Sequence, residues 1–143
     1  GNQIVAQYYN FIRLGMEGYI QVQQTSKDVA LFLASEISKL GPFEVIGNGE
    51  DLPVVAWKIK EDSKLNFSLY DFVDRMRMNG WQIPAYSMPK NLENLVIARI
   101  VAKHGFSKDL AEEVINDMKK HLVYFSAQDG LKPGKRAKSF HFT

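Results

Sequence analysis

The stretch Leu95-Val-Ile-Ala-Arg-Ile-Val-Ala102 decides the fold of this chain. It is short, rich in β-branched residues and carries a single charge, Arg99, which is typical of a buried strand. Because alternate strand residues face the same way, Arg99 shares a face with Ile97 and Val101. Both faces are apolar, so we expect both to be covered. A guanidinium on a covered face keeps its charge and therefore needs an anionic partner.

The pattern leaves the source of that anion open. A carboxylate of the protein itself would make Arg99 part of a structural ion pair, and an arginine that emerges at a sheet edge would be satisfied by water. A carboxylate of a ligand would instead make Arg99 a binding residue, since a guanidinium can hold a carboxylate through two parallel hydrogen bonds. The strand alone does not decide between these alternatives.

A long helix is predicted upstream, over residues 2–40, from apolar residues at three- and four-residue spacing. Gly41-Pro42 ends it. Gly15 and Gly18 interrupt the first half, so we expect a bend or a close backbone contact near them. The aromatic residues of that half fit either a core or an interface, with the core as the expected location: Tyr8, Tyr9 and Phe11.

Short strands and helices alternate over the rest of the chain. Strands are predicted at 43–46, 54–60, 81–86 and 95–102, the third of them irregular or at an edge because of Pro84. Ser68 and Ser107 are predicted N-caps, and the second begins a helix over 108–126. The order helix, β, β, helix, β, β, helix predicts an α+β fold, a small, mostly antiparallel sheet of about four strands with helices packed on it, preceded by the long N-terminal helix.

Composition limits the function classes. A chain of 143 residues is one domain in length, and its formal net charge of +2 indicates neither a nucleic acid nor an acidic membrane surface as a partner. It contains no cysteine, which excludes disulfides and thiolate metal sites and is compatible with a reducing compartment. No uncharged stretch approaches the roughly 20 residues of a membrane span.

No complete catalytic set or metal site is visible in the sequence. The three histidines, His104, His121 and His141, lack metal-ligand spacing, and we interpret the first two as structural. There is no nucleophile elbow and no glycine-rich phosphate loop. The residues alone therefore predict an α+β domain with one unexplained arginine.

Several long segments carry a family resemblance: Gln7–Tyr19, Leu69–Asp71 with Arg75–Ala85, Val96–Ile100, and Ser139–Thr143. Together they resemble the C-terminal part of bacterial glutamate decarboxylases, which use pyridoxal 5'-phosphate and are similar in fold to aspartate aminotransferase. The resemblance implies a cytoplasmic parent enzyme that converts L-glutamate to 4-aminobutanoate and carbon dioxide and consumes a proton. The cofactor would be the electron sink of that reaction.

The resemblance also implies which part of the enzyme each segment of this chain forms. Residues 1–40 would link to a missing large domain that holds the cofactor through its lysine, so no lysine of this chain is given that role. Residues 41–126 would form the small domain and 127–143 the C-terminal tail. The expected partners are the large domain of the same polypeptide and further copies, in a homodimer or higher homo-oligomer. The resemblance implies that this chain alone exposes the surface they cover, with Tyr8, Tyr9, Phe11 and Ile12 as candidates. Calmodulin is not expected, because the basic stretch Lys132–Lys138 contains Pro133 and Gly134 and has no tryptophan.

Two residues match functional positions of the family. Arg99 corresponds to the small-domain arginine that meets the substrate carboxylate. His141 is a candidate for the histidine near the C-terminus that closes the active site as the pH rises, although the family has that histidine at the penultimate position, which here is Phe142. A one-residue shift in an extended tail turns a side chain to the opposite side. The alternative is a non-enzymatic α+β module that binds an anionic ligand or partner through Arg99.

Overall fold

A computed structural model of the chain describes residues 1–128 and contains three helices and four strands in that range. In chain order they are α1 (Asn2–Ser38), β1 (Phe43–Asn48), β2 (Val54–Ile59), α2 (Leu69–Arg77), β3 (Ala85–Ser87), β4 (Val96–Val101) and α3 (Lys108–Ser126). The α+β class and the long N-terminal helix are confirmed. The tail at 129–143 and His141 within it lie outside the described residues.

The four strands form one antiparallel sheet in the order β1-β2-β4-β3. Arg99 on β4 pairs with Ala56 on β2, and the ladder between β1 and β2 shifts register between Val45 and Gly47. The strand predicted at 81–86 is wrong in its position, because β3 covers only Ala85–Ser87. Pro84 has no N–H to donate to a ladder, but its carbonyl oxygen accepts a hydrogen bond of 3.3 Å from the Arg99 N–H.

The helices cover one face of the sheet. The C-terminal half of α1 packs on β1 and β2, α2 packs on β3 and β4, and α3 lies against both helices. Side chains that alternate toward this layer are fully buried, among them Val55, Trp57 and Ala98. These side chains belong to the hydrophobic core. Because successive strand side chains point to opposite faces, the residues between them point to the other face of the sheet.

The opposite face is open in the part of the chain that the structure describes. Arg99 and Val101 are exposed there, as are Ile46 on β1 and Tyr86 on β3. The expectation that both faces of β4 are covered is therefore wrong at Arg99 and Val101 within residues 1–128, although Ile97 on the same face is buried. An apolar pattern on both faces of a strand cannot distinguish a face that meets this chain's own helices from one that is left for another polypeptide segment.

Helix α1 bends at Gly15, as predicted. Gly15 has φ 60° and ψ −172°, a non-helical conformation that only glycine adopts without strain. The residues that α1 buries all lie beyond this bend, from Ser26 to Ile37. Tyr8, Tyr9 and Phe11 are 59–65% exposed, so the core location expected from the helical pattern is wrong, and the exposure that the resemblance implies for them is confirmed. The first half of α1 is an amphipathic helix whose apolar side chains are exposed within residues 1–128, apart from a ring contact between Phe11 and Tyr19 of the same helix.

The caps of the two shorter helices are confirmed. Ser68 Oγ accepts the Asp71 N–H at 3.3 Å while Asp71 Oδ2 accepts the Ser68 N–H at 2.9 Å, a reciprocal capping box at the start of α2. Ser107 Oγ accepts the Leu110 N–H at 3.3 Å at the start of α3. These caps stabilise the first turn of α2, which packs on β3 and β4, and the first turn of α3, which packs on α1 and α2.

Candidate functional site

Arg99 lies on the open face of the sheet, on the inner strand β4. Ala56 lies opposite it on β2. Tyr86 lies diagonally across from it on β3, because Tyr86 pairs with Ile97, two residues before Arg99. Val101 follows on the same face of β4, and it is 49% exposed. The arginine therefore rises from a surface of small and apolar side chains, between two strands that hold its backbone on both sides.

The Arg99 guanidinium has no carboxylate partner within residues 1–128, so an internal ion pair is not found there. The nearest charged pair on the same face is already complete, since Lys58 Nζ lies 3.3 Å from Glu44 Oε2 and 3.6 Å from Glu61 Oε1. The contact that the guanidinium does make is with an aromatic ring: Arg99 Cζ lies over Tyr86, 5.5 Å from the ring centroid. Its N–H donors are left available to an anion from outside these residues.

This arrangement can bind and orient a carboxylate. A planar guanidinium with free donors offers two parallel hydrogen bonds to a planar anion, and that fixes the direction of the anion as well as its position. The amine described on this face, that of Lys58 on β2, is held in ion pairs with Glu44 and Glu61. The open face thus supplies one half of a site and no cofactor attachment of its own.

A second polar cluster joins α2 to α3. Arg75 Cζ lies 3.5 Å from the centroid of the Tyr124 ring, and His121 Nε2 donates to Asn79 Oδ1 at 2.9 Å. Nearby, Asp117 accepts hydrogen bonds of 2.9 Å from Trp81 Nε1 and from Lys120 Nζ. The cluster ties the segment that leads into β3 to the last helix, so its residues support the site without touching it.

Burial and charge shift two pKa values in this cluster. Burial lowers the pKa of His121, and the nearby positive charges of Arg75 and Lys120 lower it further, against the opposing effect of Asp117. Hydrogen bonds from Lys120 and Trp81 lower the pKa of the Asp117 carboxyl. His121 is only 9% exposed and hydrogen-bonded, in agreement with the prediction that it is structural.

The other sequence candidates do not join Arg99 in a catalytic set. His104 is exposed in the connection between β4 and α3, and His141 lies outside the described residues. Among residues 1–128 no group of three or more histidine, aspartate or glutamate side chains could hold a metal ion. In the same range no helix has the length and hydropathy needed to cross a bilayer.

Sequence reasoning missed Tyr86 as a neighbour of Arg99. The alternating pattern of β3 is only three residues long, and the loop between β3 and β4 contains no tight two-residue turn from which the register could be read.

The chain is similar to proteins named glutamate decarboxylase. It is 50% identical over 135 residues to that of Aliivibrio fischeri and 44% identical over 131 residues to that of Lactococcus lactis, which is 94% and 86% of this chain. A solved structure of Lactobacillus brevis glutamate decarboxylase matches 86% of the chain with a TM-score of 0.82 at 41% identity. The chain spans only 28–29% of the length of these proteins. No protein-family model matches it.

Proposed function

Because this chain is homologous to the C-terminal part of the glutamate decarboxylases, we propose that it is the small domain of an enzyme that decarboxylates L-glutamate. The reaction breaks the bond between the α-carbon and the carboxylate, releases carbon dioxide and adds one proton to give 4-aminobutanoate. Arg99 is the residue of this chain that takes part, as the group that binds a carboxylate of the substrate. This enzyme would act in the cytoplasm, with which the absence of cysteine is compatible.

The observation that supports the proposal most strongly is that Arg99 is exposed and lacks a carboxylate partner in residues 1–128. An exposed guanidinium with no carboxylate partner in residues 1–128 stands on a face of small and apolar side chains. A structural ion pair with Glu44 is not available to Arg99, because this carboxylate on the same face already pairs with Lys58. An open cationic site suits a carboxylate that arrives with the substrate.

Pyridoxal 5'-phosphate is part of the proposal as the cofactor of the complete enzyme, where it would act as the electron sink. Its lysine and phosphate ligands would come from the large domain, since Lys58, the lysine on the face of Arg99, is already paired with Glu44 and Glu61. The role of this chain is then to bind the substrate carboxylate, to fix its orientation and to complete the wall of the active site. His141, in the tail, remains a proposed pH-dependent gate of the same site.

The rest of the polypeptide is the proposed partner of the first half of α1. Large apolar side chains stand exposed along one side of that half-helix: Ile4, Val5, Tyr8, Phe11, Ile12 and Met16. Such a face is ordinarily buried against another element. The glutamate decarboxylases are more than three times as long as this chain, so a large domain is available to cover it. Assembly into a homodimer or larger homo-oligomer belongs to the same proposal.

Incubation of the longer polypeptide that contains this chain with pyridoxal 5'-phosphate and L-glutamate tests the function. We expect release of carbon dioxide and formation of 4-aminobutanoate in equal amounts, and neither product from the 143-residue chain alone. A longer polypeptide that binds L-glutamate but forms no product would overturn the enzymatic proposal and favour the alternative, a module that only binds anions.

A further inference from the structure

Tyr86 is placed by the sheet to meet the Arg99 side chain. It pairs with Ile97 on β4, so its side chain shares the open face with Arg99, two residues further along. Diagonal neighbours in an antiparallel ladder lie within reach of aromatic and long side chains. The Arg99 N–H donates to the Pro84 carbonyl oxygen at 3.3 Å, and this bond holds the start of β3 beside the arginine.

The contact between the two side chains is of the cation–π kind. Arg99 Cζ lies 5.5 Å from the centroid of the Tyr86 ring, inside the roughly 6 Å over which a ring attracts a guanidinium. The ring contacts the guanidinium without using its N–H donors, so those donors remain free for a carboxylate. The Tyr86 hydroxyl makes no hydrogen bond within the described residues, so the contact depends on the ring alone.

An arginine on an open sheet face would otherwise sample many side-chain conformations, and binding a carboxylate would require it to give them up. A ring that already restricts the guanidinium lowers this cost, since the donor group is held near its bound position before the ligand arrives. The effect acts on the affinity for the carboxylate, and it acts through Arg99 rather than by contact with the reacting atoms.

We propose that Tyr86 is a positioning residue whose ring holds the Arg99 guanidinium in place for the substrate carboxylate. This inference rests on the proposed function of Arg99. It predicts a graded result: a ring without the hydroxyl serves as well as tyrosine, whereas an aliphatic side chain of similar size does not.

Two variants of the longer enzyme test the kinetic consequence, Tyr86→Leu and Tyr86→Phe. We expect Tyr86→Leu to raise the KM for L-glutamate about 2- to 5-fold with little change in kcat, the size of an exposed cation–π contact. Tyr86→Phe should keep the wild-type KM. Tyr124→Leu is the matched control, because it removes the ring that lies over Arg75 in the α2–α3 cluster. It should lower stability and leave the KM unchanged.

Side-chain dynamics provide a readout that needs no activity. In the 143-residue chain, NMR relaxation of the Arg99 Nε–H group should report a restricted side chain for the wild type and Tyr86→Phe and a mobile one for Tyr86→Leu. Equal mobility of Arg99 in all three would overturn the inference, as would a wild-type KM in Tyr86→Leu while Arg99→Lys impairs the enzyme. If Arg99→Lys itself leaves turnover of L-glutamate unchanged, the proposed function fails, and the NMR result still decides whether Tyr86 positions Arg99.

Discussion

At the scale of single residues, His121 is buried and lies near the positive charge of Arg75, and both lower its pKa. Its ring is 9% exposed, donates to Asn79 and lies near Arg75, and burial and the neighbouring positive charge both lower its pKa. The unfolded chain therefore binds a proton at this histidine more readily than the folded chain does. The fold is penalised when the pH falls below the ordinary histidine pKa of about 6.5.

We expect the free energy of unfolding to be highest above about pH 6.5 and to decline as the pH falls toward the lowered pKa of folded His121. Urea unfolding of the chain at intervals between pH 5 and pH 7.5 measures this slope. His121→Gln should flatten the slope, and His104→Gln, at an exposed histidine, should leave it as it is. A wild-type slope in His121→Gln would contradict the assignment. The lowered pKa of Asp117 acts in a separate window, since its contribution is lost only as the pH falls below about 3.8.

Arg99 could be singled out from the sequence because a lone charge in a β-branched run is rare and costly to bury, and its role in binding a carboxylate stays a prediction. The openness of its face could not, since Ile97 and Val101 are as apolar as the core-facing residues of the same strand. Whether an apolar residue faces the helices or another part of the protein depends on the tertiary arrangement, which no local pattern contains. The same limit kept Tyr86 from being identified beside Arg99.

At the scale of elements, α1 consists of two helices with different surroundings, divided at Gly15. The bend was predictable because glycine tolerates a φ of 60° that other residues rarely adopt. The exposure of the first half could not be predicted from its apolar spacing, which is the same in any helix that packs on another element, and only the family resemblance indicated it. The prediction of a strand over 81–86 is wrong for a related reason. Residues 81–84 have the composition of a strand, but Pro84 cannot donate to a ladder, and β3 covers Ala85–Ser87.

The apolar face of α1 predicts self-association when the chain is studied alone, because in that state a second copy is the available apolar surface. Light scattering or sedimentation over a range of concentrations should show it. Tyr8→Gln combined with Ile12→Gln, at two positions that are each 65% exposed, should weaken association about 10-fold or more. The matched control is Ile46→Gln combined with Leu52→Gln, which changes exposed apolar residues elsewhere. A wild-type chain that stays monomeric at high concentration would contradict this prediction.

At the scale of the whole molecule, two apolar surfaces remain unpaired within residues 1–128: the first half of α1 and the sheet face around Arg99. Both are explained if this chain is one part of a larger enzyme, and its relatives are indeed proteins of which it spans 28–29%. The fold positions Arg99 through a sheet that is covered on one side by helices, while the side that carries Arg99 is open within residues 1–128.

Steady-state decarboxylation of L-glutamate by the longer enzyme with Arg99→Lys tests this account most directly, with Arg77→Lys, at an exposed arginine of α2, as its matched control. Lysine keeps the charge but loses the paired hydrogen bonds, so kcat/KM should fall at least about 10-fold, the size of a charged hydrogen bond, while the fold is unchanged by circular dichroism. Arg77→Lys should retain wild-type activity. Near-normal kcat and KM in Arg99→Lys would contradict the claim that Arg99 binds the substrate carboxylate.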